Sequence, residues 1–378
     1  MSNKRISMSD IVIGQPLQWD IFGADGNLLL RRGFVVSSSH QVETLIERGL
    51  YVDGETLEQS ARDKKAQKVV EQPSVVRIIS QVRNDLRTLS YNLSSEPNAR
   101  EKFLTLAKYV LLATRIDTDV ALGCILLHQE GNYSSRHCVD SAVVSIVIGR
   151  ALKKTEEELI LLAAACLTMN LSMLRQQERL QEKSEGLNAE EQDLIFNHPQ
   201  QSVQQLMNAG IRDEAWLSWV LHHHENEDGS GYPNKKRSAE IPQNAKIISI
   251  ADRYCARVCA RSYRKSLLPN AALRDILIGG KTTVDLMLVT LFIRELGTYP
   301  IGTFVRLEDG AIGVVTSKGA TTTTPYVHCL LGPRGVALAS PIKRDTQKPL
   351  HAIREVLHRD QVIMRFSMRQ LWGDVAAQ

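Results

Sequence analysis

His223-His224-Glu225-Asn226-Glu227-Asp228-Gly229-Ser230-Gly231-Tyr232-Pro233 is the stretch around which the rest of this 378-residue chain can be read. Adjacent histidines on a helix project about 100° apart, so each can donate to a different cation, and two metals are implied. Imidazoles and carboxylates suit iron, manganese or zinc. The Gly229-Ser230-Gly231 turn lets backbone approach whatever is bound, and Pro233 then stiffens the loop. An isolated histidine pair would read more readily as the polar end of a helix beside an ordinary Gly-Pro turn.

From Pro73 to about Glu295 the apolar residues follow helical periodicity, with segments near 73–92, 98–113, 117–130, 134–153, 155–172, 189–208, 212–225, 243–261 and 270–277. Asn188 before Glu190-Glu191, and Pro97 after Ser94-Ser95, mark helix starts. Upstream, Asp25-Gly26 between Trp19–Phe22 and Leu28–Leu30 predicts a hairpin. Ser38 or Ser39 is placed to cap a helix through Arg48, with Val42, Leu45 and Ile46 on one face. Residues 1–54 thus read as a small α+β accessory domain, and the charged residues 55–72 as a linker. The helical region covers 73–296. Beyond it, Phe304–Leu307, Ile312–Val315 and Tyr326–Leu331 predict a β-rich extension over 297–378 that ends in a terminal helix. The expected fold class is mainly α, a helical bundle with these two smaller attachments.

Composition narrows the function. The length exceeds what one hydrophobic core serves, and 43% hydrophobic with 23% charged residues describes a chain that folds. A net charge of +4 from 46 basic and 42 acidic residues lacks the concentrated basic face that nucleic-acid binding needs. Apolar runs such as Leu159–Leu167 fall short of the roughly 20 residues that span a bilayer, so no membrane role and a cytoplasmic location are expected. The six cysteines form no Cys-x-x-Cys pair and sit among apolar neighbours, which argues against disulfides or a zinc knuckle.

The stretch from His223 to Pro233 matches HHExxDGxGYP at every specified position, and so resembles the signature of the HD-GYP subgroup of HD-superfamily phosphohydrolases. The resemblance covers roughly residues 125–295. It implies a helical domain, a metal site and hydrolysis of cyclic di-GMP. Carried over residue by residue, it implies that His137, His198, His223, His224 and Asp252 are metal ligands. It further implies that Gly229, Gly231, Tyr232 and Pro233 shape the ligand pocket, and that Arg261 and Arg264 clamp phosphates. An arginine's planar fork suits that last task.

The chain departs from the family at the helix that normally reads AALLHDIGK. Ala164–Ser172 places Thr168 at the histidine, Met169 at the bridging aspartate and Ser172 at the lysine. Sliding the register by one puts Asn170 at the aspartate, which is neutral, and still supplies no histidine. The glutamate one turn before the first histidine becomes Tyr133. Clustered divalent cations repel and need bridging anions, so the divalent metal, iron, manganese or zinc, is expected to be reduced or absent. The expected function is therefore a degenerate HD-GYP protein in cyclic di-GMP signalling that binds nucleotide, or partner proteins such as diguanylate cyclases, with little or no phosphodiesterase activity. The alternatives are an active phosphodiesterase with a non-standard metal site, and a scaffold without nucleotide binding.

Overall fold

Ser74 accepts a hydrogen bond from the Arg77 amide and opens α1 (Val75–Tyr91). This computed structural model describes residues 3–5, 16–17, 19–23, 25–36, 51–53, 73–183, 186–259, 266–280, 282–362 and 364–378. There follow α2 (Ala99–Ile116), α3 (Thr118–Leu127), α4 (Tyr133–Ala151), α5 (Glu156–Thr168), α6 (Leu174–Glu182), α7 (Ala189–Asn208), α8 (Glu214–His222), α9 (Gln243–Val258), α10 (Pro269–Gly279) and α11 (Leu286–Leu296). Two capping boxes fix entries to this bundle, Thr155 with Glu158 at α5 and Asn188 with Glu191 at α7, each satisfying two otherwise orphaned amides. The α6 and α11 segments were not distinguished by periodicity.

Helix α4 is the axis of the bundle, buried from Tyr133 to Gly149. Its small residues let neighbours approach closely: a Cβ at Gly149 would stand 2.6 Å from a Leu159 methyl of α5. The helical run from Glu156 to Leu180 is long and apolar enough to cross a membrane by length and composition. It is mostly buried, and the 3-10 turn Leu171–Met173 interrupts it, as suits a core segment.

The compact unit that begins at Pro73 continues to Gln378. Its last part holds strands β5 (Phe304–Leu307), β6 (Ile312–Ser317), β7 (Tyr326–Leu331), β8 (Ala337–Asp345) and β9 (Ile353–Leu357), paired antiparallel in the order β8-β7-β6-β5-β9. The terminal helix α12 (Met368–Trp372) secures this sheet to the bundle. Trp372 donates its indole N–H to the Thr316 carbonyl (3.0 Å), and its ring lies where a side chain at Gly123 of α3 would be.

The other unit, Met1–Gln72, contains strands β1 (Asn3–Arg5), β2 (Ile21–Phe22), β3 (Leu28–Leu30) and β4 (Tyr51–Asp53) in a four-stranded antiparallel sheet of order β1-β4-β2-β3. Asp25-Gly26 makes the turn between β2 and β3, with Gly26 at φ +81° and Asp25 accepting from the Asn27 amide. Leu17, Trp19, Ile21, Val36 and Val52 form its core. The helix expected through Arg48 and the linker 55–72 lie outside the described residues.

Candidate metal centre

His223 is the C-cap of α8, and His224 begins the loop after it. Glu225 shapes that loop from within: its buried carboxylate accepts from the Asn234 amide (2.6 Å) and the Lys236 amide (3.0 Å). Asp228 accepts from both the amide (2.9 Å) and the hydroxyl (2.6 Å) of Ser230. Gly231 is required by space, since a Cβ there would stand 2.4 Å from the Asn226 nitrogen and 2.5 Å from the Glu225 Cα. The loop thereby lays the Tyr232 ring on His224, with centroids 4.8 Å apart and planes 23° apart, and Phe196 packs against the same tyrosine.

Three histidines converge under this loop. His198 comes from the middle of α7, and its Nε2 stands 3.3 Å from Nε2 of His223. In both rings Nδ1 faces a backbone carbonyl, Ile195 at 2.6 Å and Val220 at 2.7 Å, so Nδ1 carries the proton and the two Nε2 lone pairs face each other. A nitrogen from each of His198, His223 and His224 lies within 4.8 Å of the others. Facing lone pairs with the remote N–H groups tied to carbonyls are the arrangement of ligands awaiting a cation. These residues therefore fit one divalent ion of the iron, manganese or zinc type, with three protein nitrogens and room for other ligands.

Beside them, His137 of α4 places Nε2 2.7 Å from Oδ1 of Asp252 of α9. His137 Nδ1 is buried without a hydrogen-bond partner. Burial pushes His198 down to about 3, with His223 adding to the shift, and burial likewise lowers His223 and His224. All three imidazoles are held neutral, the ligating form. Burial alone would raise Asp252, but its contact with His137 and the other histidines outweighs that and holds it ionised.

A cavity of about 150 Å³ opens onto His137, His198, His224, Tyr232 and Asp252. Of the segment at the end of α5, the positions expected to replace the His-Asp dyad do not face this cavity. Thr168 is turned away, its hydroxyl donating to the Ala164 carbonyl (2.7 Å) and accepting from the Trp216 indole N–H (2.8 Å). Met169 is fully buried and does not line the cavity. Asn170 and Met173 line it instead. Ser172 points behind the site and donates to the His198 carbonyl at 3.0 Å. Tyr133 lines the cavity and stacks on His137, with centroids 5.6 Å apart. Among the described residues, Asp252 is the one carboxylate that lines the cavity. Arg261 and Arg264 lie outside the described residues. Met173 and Glu225 were not named as site residues, whereas Asn170 was named as the slid register's counterpart of the motif's aspartate; that same register carries the motif's lysine, three residues on, to Met173.

Residues 125–286 match the family model of the HD domain. It is similar to cyclic di-GMP phosphodiesterase PdeB of Borreliella burgdorferi, 25% identical over 53% of this chain and 53% of the relative. It is also similar to cyclic di-GMP phosphodiesterase PA4108 of Pseudomonas aeruginosa, 27% identical over 56% of this chain and 51% of the relative. The chain spans about half the length of these curated relatives. Among solved structures, Bd1817, an HDG"Y"P protein from Bdellovibrio bacteriovorus, aligns with TM-score 0.49 at 16% identity, covering 77% of this chain and 98% of that one.

Proposed function

We propose that this chain is a degenerate HD-GYP module of cyclic di-GMP signalling that retains ligand recognition and has little or no phosphodiesterase activity. The observation that carries this reading is the cavity wall of Asn170, Met173 and Tyr133, which leaves Asp252 as the one carboxylate that lines the cavity among the described residues. Two or more cations packed together need more compensating charge than one carboxylate supplies. His198, His223 and His224 would hold a single ion, which supplies positive charge against a phosphate oxygen. The chain's own groups do the rest: the Glu225 clamp holds the loop, Tyr232 presents an aromatic face, and Asp252 orients His137. A cavity of about 150 Å³ admits a phosphate group but is below the roughly 300 to 1,000 Å³ of pockets that engulf a ligand. Gly229, Gly231, Tyr232 and Pro233 then form the rim against which the remainder of a cyclic dinucleotide rests, with Arg261 and Arg264 as its phosphate clamps.

The test is metal analysis of the purified protein beside an assay of cyclic di-GMP hydrolysis and a calorimetric titration with the dinucleotide. At most one tightly held metal per chain, no useful turnover, and binding weakened about ten- to a hundredfold by Arg264→Ala are expected, since a charge-assisted hydrogen bond contributes roughly 1.5 to 3 kcal/mol. Two or more metals with rapid formation of linear dinucleotide, abolished by His223→Ala, would overturn the reading in favour of an active enzyme. Absence of dinucleotide binding with and without chelator would leave a protein-docking scaffold.

A further inference from the structure

The 3-10 turn Leu171–Met173 has a cavity on each side. Asn170 and Met173 face the histidines, whereas Leu171 and Ser172 form part of the wall of a second cavity of about 460 Å³. That volume lies within the range of small-metabolite sites, roughly 300 to 1,000 Å³. Ser90, Ser94, Arg175, Gln176, Gln205 and Asn208 contribute polar lining, and among the described residues no carboxylate does. The Ser90 hydroxyl is buried without a hydrogen-bond partner, a state that native structures rarely leave unanswered by water or ligand. The Arg175 guanidinium lies over the Tyr91 ring at 5.0 Å, and Arg87 reaches the same ring at 5.9 Å. Among the described residues no acid pairs with Arg175. An aromatic face that holds a guanidinium by its plane leaves the N–H edge for an oxyanion.

We propose that this second cavity is an effector site for a small phosphate monoester. Arg175 and the serine hydroxyls would take the phosphate, and the Gln205 and Asn208 amides, which both donate and accept, the hydroxyls of the group that bears it. Occupancy would reach the metal centre through the shared turn, because ordering Leu171 and Ser172 from behind also fixes Asn170 and Met173 in front.

Calorimetric titration of the metal-stripped full chain at low salt, with ribose 5-phosphate, inorganic phosphate and succinate as probes, tests this. Saturable binding of ribose 5-phosphate is expected, weakened at least tenfold in Arg175→Gln, partly restored in Arg175→Lys, and unchanged in Arg179→Gln on the same helix. Ribose 5-phosphate should also slow hydrogen exchange over residues 170–176. Arg175 is exposed, so its substitution does not threaten the core. No saturable binding at millimolar probe, binding indifferent to Arg175→Gln, or succinate bound as tightly as ribose 5-phosphate would each overturn the assignment. Unchanged exchange across the turn would overturn the coupling.

Discussion

Three neutral imidazoles packed at one point make the metal-free protein sensitive to acid. His198 is lowered to about 3, first by burial and then by His223, and burial also lowers His223 and His224. In the unfolded chain these groups titrate near 6.5. Below that pH the unfolded state takes up protons that the folded state refuses, so stability is fully present above about pH 6.5 and is lost as pH falls. Asp252, held below the usual carboxylate range, adds a loss of the same sign at lower pH. Each such histidine costs up to about 2 kcal/mol between pH 6.5 and 5. We expect the melting temperature, measured by calorimetry with chelator present, to fall steadily from pH 7.5 to 5, and His198→Gln to flatten the slope. A melting temperature constant over that range would contradict the neutral cluster. At this scale the convergence of these side chains was legible because a dense motif fixes the register of His223 and His224, and His137, His198 and Asp252 then follow in order. Glu225 was legible only as a letter of the motif. Its work as an acceptor for two loop amides depends on a backbone path that no residue pattern reveals.

The end of α5 and the 3-10 turn behind it form an element whose faces could not be assigned from residue order alone. Residue order alone allows either Thr168-Met169 or Asn170 to face the site. In the folded chain the Thr168 hydroxyl bonds back to Ala164 and receives the Trp216 indole, and the chain tightens into the turn that presents Asn170 and Met173. Two substitutions separate the registers. Asn170→Asp places a carboxylate in the cavity wall opposite the histidines and should raise the metal retained after purification, read by elemental analysis. Thr168→His with Met169→Asp should raise no metal content, because neither side chain lines the cavity, and it should destabilise the fold by burying an unpaired charge while leaving the Trp216 N–H without its acceptor, a loss of about 1 to 3 kcal/mol for the latter alone. Metal gained by the double variant and not by Asn170→Asp would restore the unshifted register. The capping boxes at Thr155 and Asn188 were readable in advance because a cap is local chemistry. Helices α6 and α11 lie inside the expected helical region but were not delimited, although the buried Leu288, Val289, Phe292 and Leu296 of α11 do follow helical spacing.

Over the whole molecule, the change from helical periodicity to short β-like runs near Gly297 was legible, since period and turn residues are local. The docking of that sheet through Trp372 onto α3 was not, because it depends on Gly123 leaving space for an indole some 250 residues later. A second long-range tie joins the first helix of the unit to its axis. Arg83 of α1 donates to Oδ1 of Asp140 on α4 at 2.7 Å and to the His128 carbonyl at 2.7 Å, with both charged side chains buried. Asp140 lies three residues beyond His137 on the same helix face, so this pair also fixes the rotation of the helix that presents His137 to Asp252. Burial raises Asp140, and the Arg83 guanidinium works against that shift. The attraction in such a pair is largely spent on desolvation, whereas removing one member leaves a buried charge uncompensated. Arg83→Leu should therefore cost about 3 to 5 kcal/mol in denaturant unfolding, and Arg83→Leu with Asp140→Leu should recover most of that loss. The single variant should also lose retained metal, because an unpaired Asp140 disturbs the turn of α4 that carries His137, while the double variant keeps it. Equal destabilisation in single and double variants would show that the pair contributes shape alone and that α4 is held by its apolar neighbours.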